Sequence, residues 1–221
     1  MSIIFHEKTR VFHISNNQIS YLLHIMENEQ VENLYFGKRI HDKEDYFFLH
    51  EERERGHMVI SLPEPSKLSM QYVRQEFPVY GTGDFRTPAC TILQEDGSRI
   101  MNFKYVSHAI FPGKPLLEGL PATYTEKDEE AETLEICLFD EKTETRLILS
   151  YTIFENYPSI ARHIRVTQEG ENPVVLERMM SACVEFPDMD FEMVQLSGAW
   201  VRERQIRTRK LEMGIQAIQG L

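Results

Sequence analysis

QEFPVYGTGDFRTPA, residues Gln75–Ala89, gathers two glycines, two prolines, several aromatic rings and an Asp-x-Arg pair into a stretch too broken for a helix. Gly81 and Gly83 permit φ > 0, Pro78 and Pro88 fix the chain on either side, and Asp84 can accept backbone N–H groups or pair with Arg86. Such a stretch suits a chemical site or a rigid turn. A second candidate is the acidic pair Asp188 and Asp190 in FPDMDF. On a strand the two carboxylates would share one side, a spacing open to metal binding or glycosidic chemistry, although a turn accommodates them as readily. The eight histidines are scattered, and His13, His24 and His163 fall inside strand-like patterns, where an imidazole is more often satisfied or solvated than catalytic. Cys90, Cys137 and Cys183 are far apart and carry neither Cys-x-x-Cys nor His-x-x-x-His spacing, which predicts reduced, buried thiols with no zinc site and no disulfide framework. Phosphate-cradling glycine loops and nucleophile elbows are absent.

The elements that must position these residues are strands. Arg10–Ser15, Gln18–Ile25, Lys67–Val73, Ser98–Phe111, Glu132–Asp140, Glu144–Phe154, Ser159–Gln168, Pro173–Phe186 and Phe191–Gly198 alternate apolar and polar residues or are rich in β-branched and aromatic types. Turn-forming runs such as Asn16-Asn17, Glu95-Asp96-Gly97 and Gln168–Asn172 separate them, with no convincing helix between. The pattern predicts an all-β protein of antiparallel sheets stacked face to face. One region departs from it. His41–Gly56, HDKEDYFFLHEERERG, is highly charged around a Tyr46–Leu49 apolar cluster and reads as a short helix or a long excursion.

Composition narrows the partners. With 35 acidic against 24 basic residues, the formal net charge of −11 disfavours nucleic acid and anionic membrane surfaces, because phosphate binding needs a basic face. A neutral small molecule or another protein fits better. The start, MSIIFHEKTRVFHIS, lacks a basic segment followed by an apolar run, and no apolar run is long enough to span a membrane, so a cytoplasmic location is expected.

QEFPVYGTGDFRTPA resembles the Gln-Glu-Tyr-Pro-x-Tyr-Gly-x-x-Asp-Phe-Arg-x-Pro-Ala segment of bacterial α-galactosidases of glycoside hydrolase family 36. LYFGKRI (Leu34–Ile40), GLPATY (Gly119–Tyr124), EEAETLEICL (Glu129–Leu138), VQLSGAWVRER (Val194–Arg204) and GIQAIQ (Gly214–Gln219) are similar to successive landmarks of that family, in the same order. The resemblance covers nearly the whole chain. It implies a galactose-mutarotase-like, two-sheet β-supersandwich over residues 1–221, the N-terminal domain of a retaining enzyme that cuts terminal α-galactosides such as melibiose and raffinose-type oligosaccharides. The family's catalytic Lys-x-Asp-x-Asn motif belongs to a following (β/α)8 barrel and is not found here, so the chain alone is expected to be catalytically silent, without cofactor or metal. Its ending KLEMGIQAIQGL alternates as if in mid-strand, which is the expectation for a domain cut before the barrel.

The resemblance also implies a homotetramer in which the excursion after Leu34 reaches a neighbouring subunit's pocket and an acidic residue there contacts galactose. Glu54 is the nearest equivalent, with Glu52 and Arg53 beside it, since either carboxylate supplies charge-assisted acceptors to sugar hydroxyls. Tyr80, Gly81, Gly83, Asp84, Phe85, Arg86, Trp200, Arg202 and Arg204 are expected in a rigid, interface-facing framework turned to the barrel or a sister subunit. The alternative is a free-standing sugar-binding or mutarotase-like sandwich, which needs a groove with a convergent His and Glu pair; the sequence pairs none recognisably.

Overall fold

A computed structural model describes residues 1–51, 67–119, 121–186 and 190–218. Twelve strands account for nearly all regular structure among them: β1 Ser2–His6, β2 Val11–Ser15, β3 Ile19–Ile25, β4 Val31–Lys38, β5 Cys90–Leu93, β6 Lys104–Pro112, β7 Ala131–Asp140, β8 Thr145–Phe154, β9 Ile160–Gln168, β10 Val175–Met179, β11 Glu192–Ala199 and β12 Arg202–Lys210. Among the described residues the helical content is two single 3-10 turns, Phe47–Leu49 and Asp128–Glu130. The protein is all-β and antiparallel, as expected. The chain divides into two compact units, Met1–Val184 and Glu185–Leu221.

In the first unit, β1-β2-β3-β4 and β6-β7-β8-β9 form two four-stranded meanders, with β5 and β10 as a separate pair. Alternation decides what lies between the meanders. Phe12, Ile14, Tyr21, Leu23 and Ile25 from one sheet meet Leu134, Ile136, Leu149, Tyr151 and Ile153 from the other in one core, each fully buried aliphatic side chain worth about 1.5–3 kcal/mol. The sheets are also clipped by polar contacts. Ile3 N–H donates to Glu132 Oε2 at 2.7 Å, and Asn16 Nδ2 donates to the carbonyls of Phe154 and Tyr157, both at 2.8 Å.

Alternation would leave the opposite face of β2–β4 in water, and there the fold differs from that reading. Val11, Leu22 and Leu34 point away from the main core yet are buried, because Tyr46 packs on them. The segment Arg39–Glu51 crosses that face, so β3 is covered on both sides. His13, Ser20, His24 and Glu32 belong to the same covered face and must find polar partners there.

Three strand expectations are corrected. Lys67–Val73 is a turn: the Arg86 guanidinium takes the carbonyls of Met70 (3.2 Å) and Val73 (2.7 Å), and Leu68, Met70 and Val73 pack with Met26 as a small separate cluster. Ser98–Phe111 becomes a strand only from Lys104, and Pro173–Phe186 only over Val175–Met179. In the second unit, the last paired strand ends at Lys210, and residues 211–218 are not a strand despite their alternation. Asp190 is not in a strand either; it adopts φ 57° and pairs with Lys210 at 3.0 Å. Its partner in the predicted acidic pair, Asp188, lies outside the described residues. Cys90 is buried, whereas Cys137 and Cys183, also expected to be buried, are half-buried.

Candidate functional site

Gln75–Ala89 folds into a turn built around one carboxylate. Asp84, buried, accepts from Gln75 Nε2 at 2.6 Å, from the Arg86 backbone N–H at 2.9 Å and from Arg86 Nε at 2.9 Å. Gly81 sits at φ 119°, and a Cβ there would lie 2.4 Å from Ile100 Cγ2 and 2.8 Å from the Met101 carbonyl. No other residue fits without moving the backbone. Met101 N–H to the Tyr80 carbonyl and Ala89 N–H to the Pro78 carbonyl, both 2.8 Å, tie the turn to its neighbours. Asp84 and Arg86 thus spend their charges on each other and on the chain. Tyr80 is half-buried, while Phe85 projects into solvent.

The same stretch carries a second buried carboxylate. Glu76, fully enclosed, receives the Tyr21 hydroxyl at 2.5 Å and the Tyr151 hydroxyl at 2.8 Å, and Arg162 Nη1 lies 2.8 Å from it as an ion pair without hydrogen-bond alignment. Burial pushes the Glu76 carboxyl up, and Arg162 with the two phenols pulls it back only in part. Burial also lifts both phenols well above the usual tyrosine range. The four groups bridge the two large sheets.

The covered face of β2–β4 holds two further carboxylates, each between two histidines. On β3 and β4, His24 and Glu32 are cross-strand partners, placed just beyond a bulge at Leu22/Leu23. His24 Nδ1 lies 2.5 Å from Glu32 Oε1; His50, arriving after the Phe47–Leu49 turn, places Nδ1 2.7 Å from Oε1 and 2.9 Å from Oε2. Burial raises the Glu32 carboxyl, but the hydrogen bonds from His24 and His50 outweigh it and hold the group below the usual range. The second carboxylate, Asp42, meets His13 Nδ1 at 2.7 Å and His6 Nε2 at 2.9 Å and is likewise held low, its partial burial outweighed by the two imidazoles. The Tyr46 hydroxyl, 3.2 Å from His13 Nδ1, accepts the Lys43 N–H at 2.8 Å, and burial pushes it up to about 12.

His13 completes a Ser–His–Asp connection, since its Nε2 lies 2.9 Å from Ser20 Oγ. The order of contacts is that of an acyl-transfer triad. Ser20 is 0% exposed and His13 1%, however, and Ser20 Oγ accepts the Ile40 N–H at 3.1 Å. No substrate reaches that oxygen, and the connection serves to hold Arg39–Asp42 against the sheet.

The Glu32 cluster, in contrast, borders a cavity of about 240 Å³ lined by Thr9, Leu34, Tyr46 and Phe47 together with His24 and His50. His24, Glu32 and His50 are also the group, among the described residues, whose donor atoms lie close enough together, within 4.8 Å of one another, to hold a metal ion. Their separations in sequence hid them: eight residues from His24 to Glu32 and eighteen from Glu32 to His50. The hairpin register around the Met26–Gln30 turn was the available signal, because it sets His24 opposite Glu32.

Of the sugar-contacting residues expected from the sequence, Glu52, Arg53 and Glu54 lie outside the described residues. The chain leading to them is pinned by both histidine–carboxylate clusters, by Tyr46, and by Arg74, whose Nη2 takes the Leu49 carbonyl at 3.2 Å. In the second unit, Trp200 is 92% exposed at the tip of the β11–β12 hairpin, with Arg202 and Arg204 exposed beside it.

Residues 29–221 match the glycosyl hydrolase family 36 N-terminal domain. Among curated relatives, α-galactosidase AgaA of Geobacillus stearothermophilus is 36% identical over 220 residues, covering 100% of this chain and 30% of that protein. α-Galactosidase Mel36A of Lactobacillus acidophilus is 35% identical over 216 residues, covering 97% of this chain and 29% of that protein. The chain thus spans about 30% of the length of these relatives. Among solved structures, the α-galactosidase of Lactobacillus brevis superposes with a TM-score of 0.92 at 31% identity, covering 97% of this chain and 29% of that one. An AgaA variant solved in complex with raffinose superposes with a TM-score of 0.86 at 36% identity, covering 93% and 29%.

Proposed function

The chain belongs to the glycosyl hydrolase family 36 N-terminal domains, and on that premise we propose that it is the non-catalytic N-terminal part of an α-galactosidase. The whole enzyme hydrolyses terminal α-galactosides of the raffinose and melibiose type with retention of configuration, in the cytoplasm, as a homotetramer. This part supports assembly and completes the sugar pocket of a neighbouring subunit. The observation that carries the reading is a likeness along the whole chain to α-galactosidases of which it spans less than a third.

The anchoring of Arg39–Glu51 supports the pocket-completing role. A loop that contributes one hydrogen bond to a sugar is useful only if its base is rigid, because each ordered residue otherwise costs entropy at binding. Glu54 follows three residues after Glu51, where the pinned segment ends. Its carboxylate would accept from galactose hydroxyls, with Glu52 and Arg53 at the rim. Phe85 and Trp200 are exposed apolar surfaces suited to the catalytic barrel or a sister subunit.

One observation favours a second reading, a free-standing sugar-binding sandwich: Glu32 with His24 and His50 at a cavity is the convergent His–Glu arrangement such a protein needs. The reading frame beyond codon 221 separates the two. A barrel-length continuation with a Lys-x-Asp-x-Asn motif, whose product releases galactose from raffinose, supports the first. A stop codon there, with galactose bound by the 221-residue chain, overturns it.

A further inference from the structure

We propose that His24, Glu32 and His50 form a binding site for a divalent transition-metal ion of the zinc type, one that fastens the Arg39–Glu51 segment to the β3–β4 hairpin. The donors come from three places in the chain: the end of β3, the start of β4, and the residue that closes the Phe47–Leu49 turn. Two are fixed as cross-strand partners, so the site needs only the arrival of His50 to be complete.

Two imidazole nitrogens and one carboxylate, with a fourth position left to water, is a donor set zinc accepts. All three donor atoms lie within 4.8 Å of one another, with His50 Nδ1 and Glu32 Oε1 2.7 Å apart. Ligands bound tetrahedrally at zinc distances stand about 3.3 Å apart. Seating the ion therefore asks the His24–Glu32 and His50–Glu32 separations, 2.5 and 2.7 Å, to open by less than about 1 Å each. The cavity beside His24 and His50 supplies the entry path, and its volume of about 240 Å³ leaves room for the fourth ligand. Without metal, a carboxylate that only accepts requires the proton of each ring on Nδ1. Binding moves that proton to Nε2 in both rings, so the step is a change of tautomer with no redox partner and no covalent change.

The burial of Glu32 gives the site its selectivity for a cation over a neutral ligand. Its side chain is 2% exposed, against 20% for His24 and 10% for His50. An enclosed carboxylate facing two imidazoles gains most from a partner that carries positive charge. The neighbouring cluster of His6, His13 and Asp42 differs. His13 Nε2 is committed to Ser20, and among the described residues these three are not a group whose donor atoms all lie within 4.8 Å of one another.

Titration of the untagged, chelator-treated chain with zinc chloride, followed by calorimetry near neutral pH, tests the proposal. One ion per chain is expected, with a raised thermal midpoint, and His24→Gln or His50→Gln weakens binding by at least about tenfold, the loss that even outer-shell partners of metal ligands produce. His6→Gln, on the Asp42 cluster, leaves the affinity unchanged. Should the His24 variant fail to fold, His50→Gln, outside every strand, and the visible spectrum of cobalt bound to the unaltered chain keep the test open; a tetrahedral spectrum is expected. Absence of saturable zinc binding, binding indifferent to His50→Gln, or binding abolished by His6→Gln would overturn it.

Discussion

Glu76 and Glu32 are equally hidden, 0% and 2% exposed, yet the fold treats them in opposite ways. Glu76 faces a permanent cation and two phenols in the closed space between the main sheets, and its carboxyl is raised. Glu32 faces two imidazoles at the edge of a cavity, and its carboxyl is lowered. Burial alone therefore predicts neither the sign of the shift nor the role. Partners decide both: a guanidinium, which keeps its charge, makes a fixed strut with a buried carboxylate, whereas imidazoles, which can gain or lose a proton or a ligand, border a cavity.

The strut should respond most strongly to damage. Arg162→Met leaves the Glu76 carboxylate buried without its counter-charge and is expected to cost about 3–5 kcal/mol in urea unfolding. The sign of its pH dependence is fixed by the raised carboxyl. A group whose folded-state pKa lies above its unfolded value gives stability that is full below the unfolded pKa, about 4.3 for glutamate, and is lost as pH rises through the folded one. The deficit of Arg162→Met should thus shrink in acid, and adding Glu76→Gln should restore part of it at neutral pH. A neutral-pH loss no larger than that of a surface substitution would remove the contrast with Glu32.

Glu32→Gln ranks next. It keeps the shape and an acceptor for one imidazole but leaves the other N–H poorly satisfied, at an expected cost of about 1–3 kcal/mol. Protease susceptibility should rise at Arg39–Glu51 before the sheets open, because that segment loses one of its two histidine anchors. Uniform susceptibility along the chain would count against a local role.

Asp42→Asn should have the smallest effect, and one confined to acid. The Asp42 carboxyl is held low, so it gives stability that is present above the unfolded aspartate value of about 3.9 and is lost as pH falls through the folded value. Far-UV circular dichroism during acid titration should show a shallower loss of structure in the variant than in the parent below about pH 4. Coincident curves would show that the His6–Asp42–His13 cluster contributes nothing in that range.

The two carboxylates also differ in how legible they were. The sheets could be read from alternation because one face of each strand meets the core, which gives β2, β3, β7, β8 and β9 nearly at their observed bounds. Lys67–Val73 alternates as well, but the Arg86 side chain takes its carbonyls and prevents a ladder, an interaction no local pattern reveals. Gln75–Ala89 announced itself through glycine, proline and an Asp-x-Arg spacing that is satisfied within the turn itself. The Glu32 site is not legible in the sequence, since its three members are brought together by a hairpin register and by a segment that reads only as a short helix or a long excursion. Tyr46, 1% exposed, is the residue that turns that segment inward, and one buried ring among the three of HDKEDYFFLHEERERG is a weak signal against nine charged residues in the same stretch.

Delivery of an acidic side chain from the pinned segment to a sugar pocket can be read out by raffinose hydrolysis in the full-length enzyme proposed above. For Glu54→Gln a KM raised about tenfold with kcat little changed is expected, the loss of one charge-assisted hydrogen bond to the substrate. A KM equal to that of the parent enzyme in both Glu54→Gln and Glu52→Gln would contradict it.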